Sequence, residues 1–393
     1  MISDVRLYLQ DSEAGQVESA NVSRASSKYP PQKDQMTMFP EFREGDWMTG
    51  GGGYERFVVE LETEDGETGF AVNESGGEHA ARLIDSHYRR FVEGADPWDI
   101  NKVWEQTYRA QLPTGQGFLT HNAMAGVELA MWDLLGNITG QPVYNLLGGK
   151  VRDEIECYVT AYPEVMEHFA DEGFFGVKLP VHHGPSDGRA GLDAIEEMVR
   201  DARAAFGEDA DVMIEAYMAW DKEYTVRAAE RLKQYDVKWI EDPLLPGHTT
   251  EQYRDIRQAI KPIQLAVGNL EWGHKAFHDL IENDAGDVIQ PDVSWTGGLL
   301  ETRRIAAMAK PNGLPVIPHY TTPYTCHFLV TSPESPFGEY MGGYHESVQP
   351  NIPVIEGEPL PEDSVIELGD EPGFGVTLDR DSIVPLDGDD RGD

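Results

Sequence analysis

Cysteine is almost absent from the 393 residues: Cys157 and Cys326 are the only two. Both are flanked by apolar or aromatic neighbours, which excludes a disulfide framework and predicts two small buried hydrophobes in a reducing compartment. Basic residues are also scarce. Lys and Arg number 31 against 70 Asp and Glu, leaving a formal charge of −39. The acidic excess runs along the whole chain, so the surface field repels nucleic acid and anionic membranes, and neither is expected as a partner. Concentrated salt screens such a field strongly, so the charge reads as adaptation to a high-salt, halophilic cytoplasm. No apolar run reaches the length of a membrane span, and the opening MISDVRLYLQDSEAG lacks a basic stretch followed by an apolar core. A soluble, cytoplasmic protein is the expectation.

The length favours a large barrel-type domain with a smaller companion. Residues 5–10 and 57–72 have strand character, and RFVVELETEDGETGFAV alternates about Asp65-Gly66 as a hairpin does. Between them, residues 11–53 are polar, rich in Ser, Pro and Gly, and end in GGGG; a loop of that length predicts a mobile lid over a site. The glycine run follows no strand and precedes no Lys-Ser/Thr pair, so it is not a phosphate cradle. Helical periodicity follows at 77–93, 99–110 and 121–137. Residues 1–140 are thus expected to form an α+β capping domain.

From residue 154 the pattern changes to short apolar stretches alternating with amphipathic helices. The stretches are EIECYVTAY, FFGVKLP, DVMIEAYM, VKWIEDP, IQLAVGN, DVIQPDV, LPVIPHY and FGEYM. Near-continuous apolar strands separated by helices predict a parallel sheet covered on its outside, and eight of them predict a closed α/β fold, a (β/α)7β TIM-like barrel, over 141–350. The Pro- and acid-rich segment 351–393, with one strand-like piece GFGVTL, is expected to return to the capping domain.

Nearly every barrel strand ends in a polar or ionisable residue: in order, Lys178, Glu215, Glu241, Asn269, Asp292, His319 and Glu339. Any one of these has an ordinary structural explanation. Seven in register do not, because each would be a buried polar group needing its own partner. Strand ends at that face converge on one site in barrel enzymes. Glu215 and Glu241 are oxygen donors suited to a hard cation such as Mg²⁺, and Asn269 can add its amide oxygen. Asp292 can accept Nδ1–H of His319 and leave Nε2 as a general base. Lys178 offers a positive end that balances a developing oxyanion. Glu339, if protonated in an apolar pocket, donates a hydrogen bond to the same charge. His182 shares the inward parity of Lys178 and Pro180, which either aims it at substrate hydroxyls or leaves it structural. Together the parts describe proton abstraction next to a metal-bound carboxylate.

This order of strand-end residues resembles the enolase superfamily in its mandelate racemase-like branch. MWDLLGNITGQPVYNLLGG is similar to that family's linker helix and barrel entry, and EPGFGVTL to its C-terminal return. GFFGVKLPVHHGPSDG, VKWIEDPLLP, DVIQPDVSWTGG, VIPHYTTPYTCHFLV and SPFGEYM look like segments of its L-rhamnonate dehydratase subgroup. The resemblance covers most of residues 57–380. It implies Mg²⁺ held by Glu215, Glu241 and Asn269, a His319–Asp292 dyad, an acid-side donor at Glu339, a small-molecule sugar acid as substrate and a homo-oligomer. The implied reaction removes the proton α to the carboxylate and expels the 3-hydroxyl, giving a 2-keto-3-deoxy acid.

Several residues depart from the family pattern. Many relatives carry Lys-x-Lys at the end of the second strand, whereas this chain has Lys178-Leu179-Pro180. Pro cannot be a base, which argues against epimerisation and for an elimination that one His runs alone. Glu215 stands where relatives of the subgroup have Asp. Asn269 takes the place of a third carboxylate, and Glu271 is an alternative ligand if the strand extends that far. The lid should supply cationic contacts to the substrate, with Arg24, Lys33 and Arg43 as candidates. A non-catalytic, sugar-acid-binding relative is the alternative that the altered ligands raise, and the retained dyad counts against it.

Overall fold

The first sheet grows from the hairpin legible in the sequence. In the computed structural model, which describes residues 1–11, 33–42, 56–113, 115–246, 250–342 and 354–386, β1 (Ile2–Gln10), β2 (Phe57–Thr63) and β3 (Thr68–Asn73) pair antiparallel. A Cβ on Gly69 would meet the Leu134 backbone nitrogen at 2.1 Å, so glycine there lets the sheet lie directly on the helix Phe118–Thr139. That helix is buried from His121 to Gly136, as its almost unbroken apolar sequence requires. The other two helical patterns fold as Gly77–Val92, with a π turn at Ile84–Tyr88, and as Ile100–Gln111.

Seven parallel strands form the second sheet: β4 (Glu154–Thr160), β5 (Gly176–Pro180), β6 (Asp211–Glu215), β7 (Val237–Glu241), β8 (Gln264–Val267), β9 (Val288–Ile289) and β10 (Gly338–Met341). They curl in chain order, and β10 comes round to pair with β4. The expected strand LPVIPHY is not a regular strand. Pro315 and Pro318 have no N–H to give a ladder, and the stretch makes one bridge, Val316 to Ile289. It still occupies the strand's place, because Ile317 and His319 donate their backbone N–H to Ile289 and Pro291 at 2.9 and 3.1 Å. Thr321 N–H then donates to Glu339 O at 2.8 Å, joining this stretch to β10.

Tyr158, Met213, Trp239, Ala266, Val288 and Ile317 pack as one cluster of their own inside the curled sheet. Side chains two residues apart share a face, so this layer sets the parity on which Thr160, Glu215, Glu241 and His319 stand. The C-terminal stretch supplies β11 (Ile355–Glu356), β12 (Val365–Glu367), β13 (Thr377–Leu378) and β14 (Ile383–Pro385); β12 pairs with β4 and β14 with β1. Asp133, on the long helix, holds this return in place: its oxygens accept the N–H of Phe70 and of Phe374, each at 2.9 Å. Burial pushes its carboxyl up to about 6. Both cysteines are buried and free, and no described helix is long and apolar enough to cross a membrane.

Candidate active site

Lys178, Glu215, Glu241 and Glu339, from four different strands, meet inside the barrel mouth. Lys178 Nζ lies 2.7 Å from Glu241 Oε1, 2.6 Å from Glu339 Oε1 and 3.6 Å from Glu215 Oε2. Burial opposes the ammonium, but Glu241 and Glu339 outweigh it and hold Lys178 protonated well above the ordinary lysine range. The second oxygen of Glu241 accepts from Trp239 Nε1 at 3.1 Å and Gln290 Nε2 at 2.9 Å. Glu215 Oε1 accepts from the Tyr217 N–H at 2.6 Å, while burial and the Glu241 charge push its carboxyl well above the usual range.

The dyad is formed. His319 Nδ1 stands 2.8 Å from Asp292 Oδ2, and Asp292 Oδ1 accepts the N–H of Ser294 at 2.7 Å and of Trp295 at 3.1 Å. Burial disfavours the imidazolium, yet the Asp292 hydrogen bond and the Glu339 charge prevail, so the His319 pKa is raised. Glu339 departs from the expected protonated donor. Despite burial, Lys178 and His319 hold its carboxyl down at about 2, and it accepts from Lys178, from the Thr160 hydroxyl and from the Tyr320 N–H at 3.1 Å. A carboxylate between an ammonium and an imidazole stays ionised.

The donor set fits a divalent cation. Three carboxylates face one ammonium, and Asn269, almost fully buried, has an Oδ1 with no hydrogen-bond partner among the described residues. An orphaned, buried amide oxygen just past the end of β8, the strand next to β7, is a donor awaiting an electrophile. No group of three or more His, Cys, Asp or Glu suited to a metal occurs among the described residues. The alternative ligand Glu271 lies elsewhere. β8 ends at Val267, Gly268 turns the chain at φ 120°, and Glu271 lines a water-sized cavity of about 10 Å³ with Asp242, Tyr253 and Leu280. Burial is the main cause that pushes Glu271 up to about 6 and Asp242 to about 7.

The strand ends are sharply bent. Tyr217 and Met218 follow Glu215 at φ 44° and 59°, Asp242 follows Glu241 at 35°, and Tyr320 follows His319 at 56°. Side-chain-bearing residues seldom adopt these angles, and sustained cases concentrate at functional sites.

His182 is buried with its ring 6.3 Å from that of Tyr162. Of the expected lid, 11–53, only Asp11 and residues 33–42 are described; Arg24 and Arg43 lie outside the described residues. Lys33 is buried, and its N–H donates to Val181 O at 2.9 Å, docking this piece on the end of β5. A cavity of about 530 Å³ opens between Asp34–Met38 and the loops at 184–186 and 218–222. The sequence reading missed Thr160 and Gln290. Both were findable by parity, two residues beyond Tyr158 and two before Asp292. Trp295, whose ring lies 5.0 Å from that of His319, carries no such signal because it sits in a turn.

Residues 52–148 match the mandelate racemase / muconate lactonizing enzyme N-terminal domain, and residues 161–382 match the enolase C-terminal domain-like family. An L-rhamnonate dehydratase of Saccharopolyspora erythraea is 38% identical over 348 residues, covering 87% of this chain and 88% of that one. The crystal structure of L-rhamnonate dehydratase from Gibberella zeae superposes with a TM-score of 0.88 at 30% identity. The Mg complex of that enzyme gives 0.89 at 31%, and both alignments cover 98% of this chain and 96% of the other.

Proposed function

Because the chain belongs to the mandelate racemase / muconate lactonizing enzyme branch of the enolase superfamily, we propose that it dehydrates a sugar acid of the L-rhamnonate kind. It is a Mg²⁺-dependent hydro-lyase, and its product is a 2-keto-3-deoxy acid. The observation that carries the assignment of roles is the 2.8 Å contact of His319 Nδ1 with Asp292, on the same rim as Lys178, Glu215 and Glu241.

Asp292 accepts Nδ1–H and thereby keeps Nε2 unprotonated, ready to take the proton α to the carboxylate. The C–H electron pair becomes the bond between C2 and C3 as the C3–O bond breaks. His319 returns its proton to the departing hydroxyl, and the enol tautomerises to the ketone. Glu339 raises the basicity of His319 and so supports the imidazolium that forms. Lys178 sets positive charge against the oxyanion side, and His182 is assigned to the sugar hydroxyls. Glu215, Glu241 and Asn269 would hold the metal; when bound, Mg²⁺ supplies positive charge beside the substrate carboxylate and acidifies the neighbouring C–H. Pro180 leaves the opposite face without a second base, which favours elimination over epimerisation.

The working compartment is a salt-rich cytoplasm, a reading supported by the charge of −39 and by two reduced, buried cysteines; the homo-oligomer rests on the family resemblance alone. We assign 1–140 to the capping domain, 141–350 to the barrel and 351–393 to the return. The test is a screen of acid sugars in molar KCl with Mg²⁺, reading 2-keto-3-deoxy product colorimetrically. Turnover of an L-rhamnonate-like acid that stops with EDTA is expected. No turnover of any acid sugar, together with an absence of bound metal on analysis, would refute the assignment.

A further inference from the structure

Trp295 is 6% exposed, and its indole N–H has no hydrogen-bond partner among the described residues. An indole nitrogen can only donate, and a buried donor left unpaired is costly. Such a group calls for a use. Two ring contacts and one backbone hydrogen bond place this residue at the reacting end of the site. Its ring centroid lies 5.0 Å from that of His319, with the planes inclined by 39°. Its backbone N–H donates to Asp292 Oδ1 at 3.1 Å, while Oδ2 of the same carboxylate holds His319. Phe118, at the start of the long helix, packs edge-on against it at 5.4 Å. One carboxylate therefore fixes the imidazole and the Trp295 backbone, and the Phe118 ring from the long helix packs against the indole from the side.

We infer that the Trp295 N–H is a substrate hydrogen-bond donor, and that the oxygen it serves is the 3-hydroxyl that departs. The inference rests on the dehydratase reading. His319 has to reach both the α-proton and the 3-hydroxyl, so a ring packed on His319 lies next to the same oxygen. The carboxylate end of the substrate belongs to Lys178 and the metal ligands, His182 is given to the sugar hydroxyls in general, and besides the proton of His319 the departing 3-hydroxyl has no donor of its own. As C3–O breaks, its electron pair goes to the oxygen, which takes the proton that His319 removed from C2; the C2–H pair forms the C2–C3 double bond. Trp295 keeps its own proton and stabilises the charge that builds on the oxygen before water is complete. A preplaced donor in a water-poor site is well suited to this.

Trp295→Phe keeps an aromatic ring and removes the N–H. It is expected to lower kcat for dehydration about 10- to 100-fold with little change in KM. On a 3-deoxy sugar acid, which has no group to expel, exchange of the α-proton with D₂O should run at the wild-type rate, and this also certifies a folded site. Unchanged dehydration in the variant would overturn the inference, as would exchange and dehydration falling together, which marks a packing role. A wild-type protein that dehydrates no acid sugar removes the dehydratase reading and this inference with it, whereas an active wild type with an equally active variant removes this inference alone.

Discussion

Lys178 Nζ stands 2.6 Å from Glu339 Oε1, and both side chains are shut away from solvent. The lysine is thus an internal counter-ion shared among strand ends, which its place at the end of β5 could not by itself reveal. Lys178→Met strands Glu241 and Glu339 as buried charges. Removing one partner of a buried pair costs about 3–5 kcal/mol, so the metal-free variant should unfold at markedly lower urea than wild type. Equal urea midpoints would mean that the cluster contributes nothing to stability.

Asp292→Asn should cut kcat about 10²- to 10⁴-fold by replacing the charged, acceptor-only carboxylate that sets the His319 tautomer with an amide that can also donate. It should also move the acid limb of the kcat/KM profile to lower pH. The sign follows from the raised His319 pKa: a base works only when neutral, so activity falls as pH drops through the folded value, and losing Asp292 lowers that value. The dyad's contribution to stability runs the other way. It is complete below the unfolded histidine value of about 6.5 and is lost as pH rises through the higher folded pKa. An acid limb that stays in place in Asp292→Asn would show that another group titrates there. His319→Asn should abolish turnover and leave Mg²⁺ binding intact.

Asn269→Glu adds a negative charge to the cation donors and should tighten Mg²⁺ binding about tenfold, measured calorimetrically. Glu271→Gln should leave the Mg²⁺ affinity unchanged, because Glu271 faces Asp242 and the small cavity beside it. Weaker binding in Glu271→Gln would transfer the ligand role to that residue.

Asp133→Ala leaves the N–H groups of Phe70 and Phe374 without their acceptor. A loss of about 2–4 kcal/mol is expected from two such groups, with faster proteolysis within 354–386. Wild-type stability and an equally protected tail would show that the return is held by packing alone.

Parity made most of the site legible. Met213, Trp239 and Ile317 each precede a functional residue by two positions, so an alternating apolar pattern was enough to place Glu215, Glu241 and His319 on one face. Pairing across the barrel was not legible, because Lys178, Glu241 and Glu339 lie far apart in the chain and choose one another by distance. The ionised state of Glu339 follows from that choice. LPVIPHY looked like a strand because its apolar content is right; its two prolines decide against a ladder while leaving the path unchanged. Strand parity was a weak guide to Asn269 and Glu271 alike, because β8 ends at Val267 and Gly268 turns the backbone before both.

The bent residues beyond the strand ends bear on how such a protein can change its preference among sugar acids. Tyr217, Met218, Asp242 and Tyr320 are held at positive φ directly behind the groups that act, so altered loops at these points would have to reproduce the same backbone turn before any side chain was aimed. The segment 33–42 shows no positive φ, and the Lys33 contact with Val181 runs through its backbone N–H. A change of substrate preference made at the rim therefore has to preserve the backbone turns, whereas one made in 33–42 does not meet that constraint.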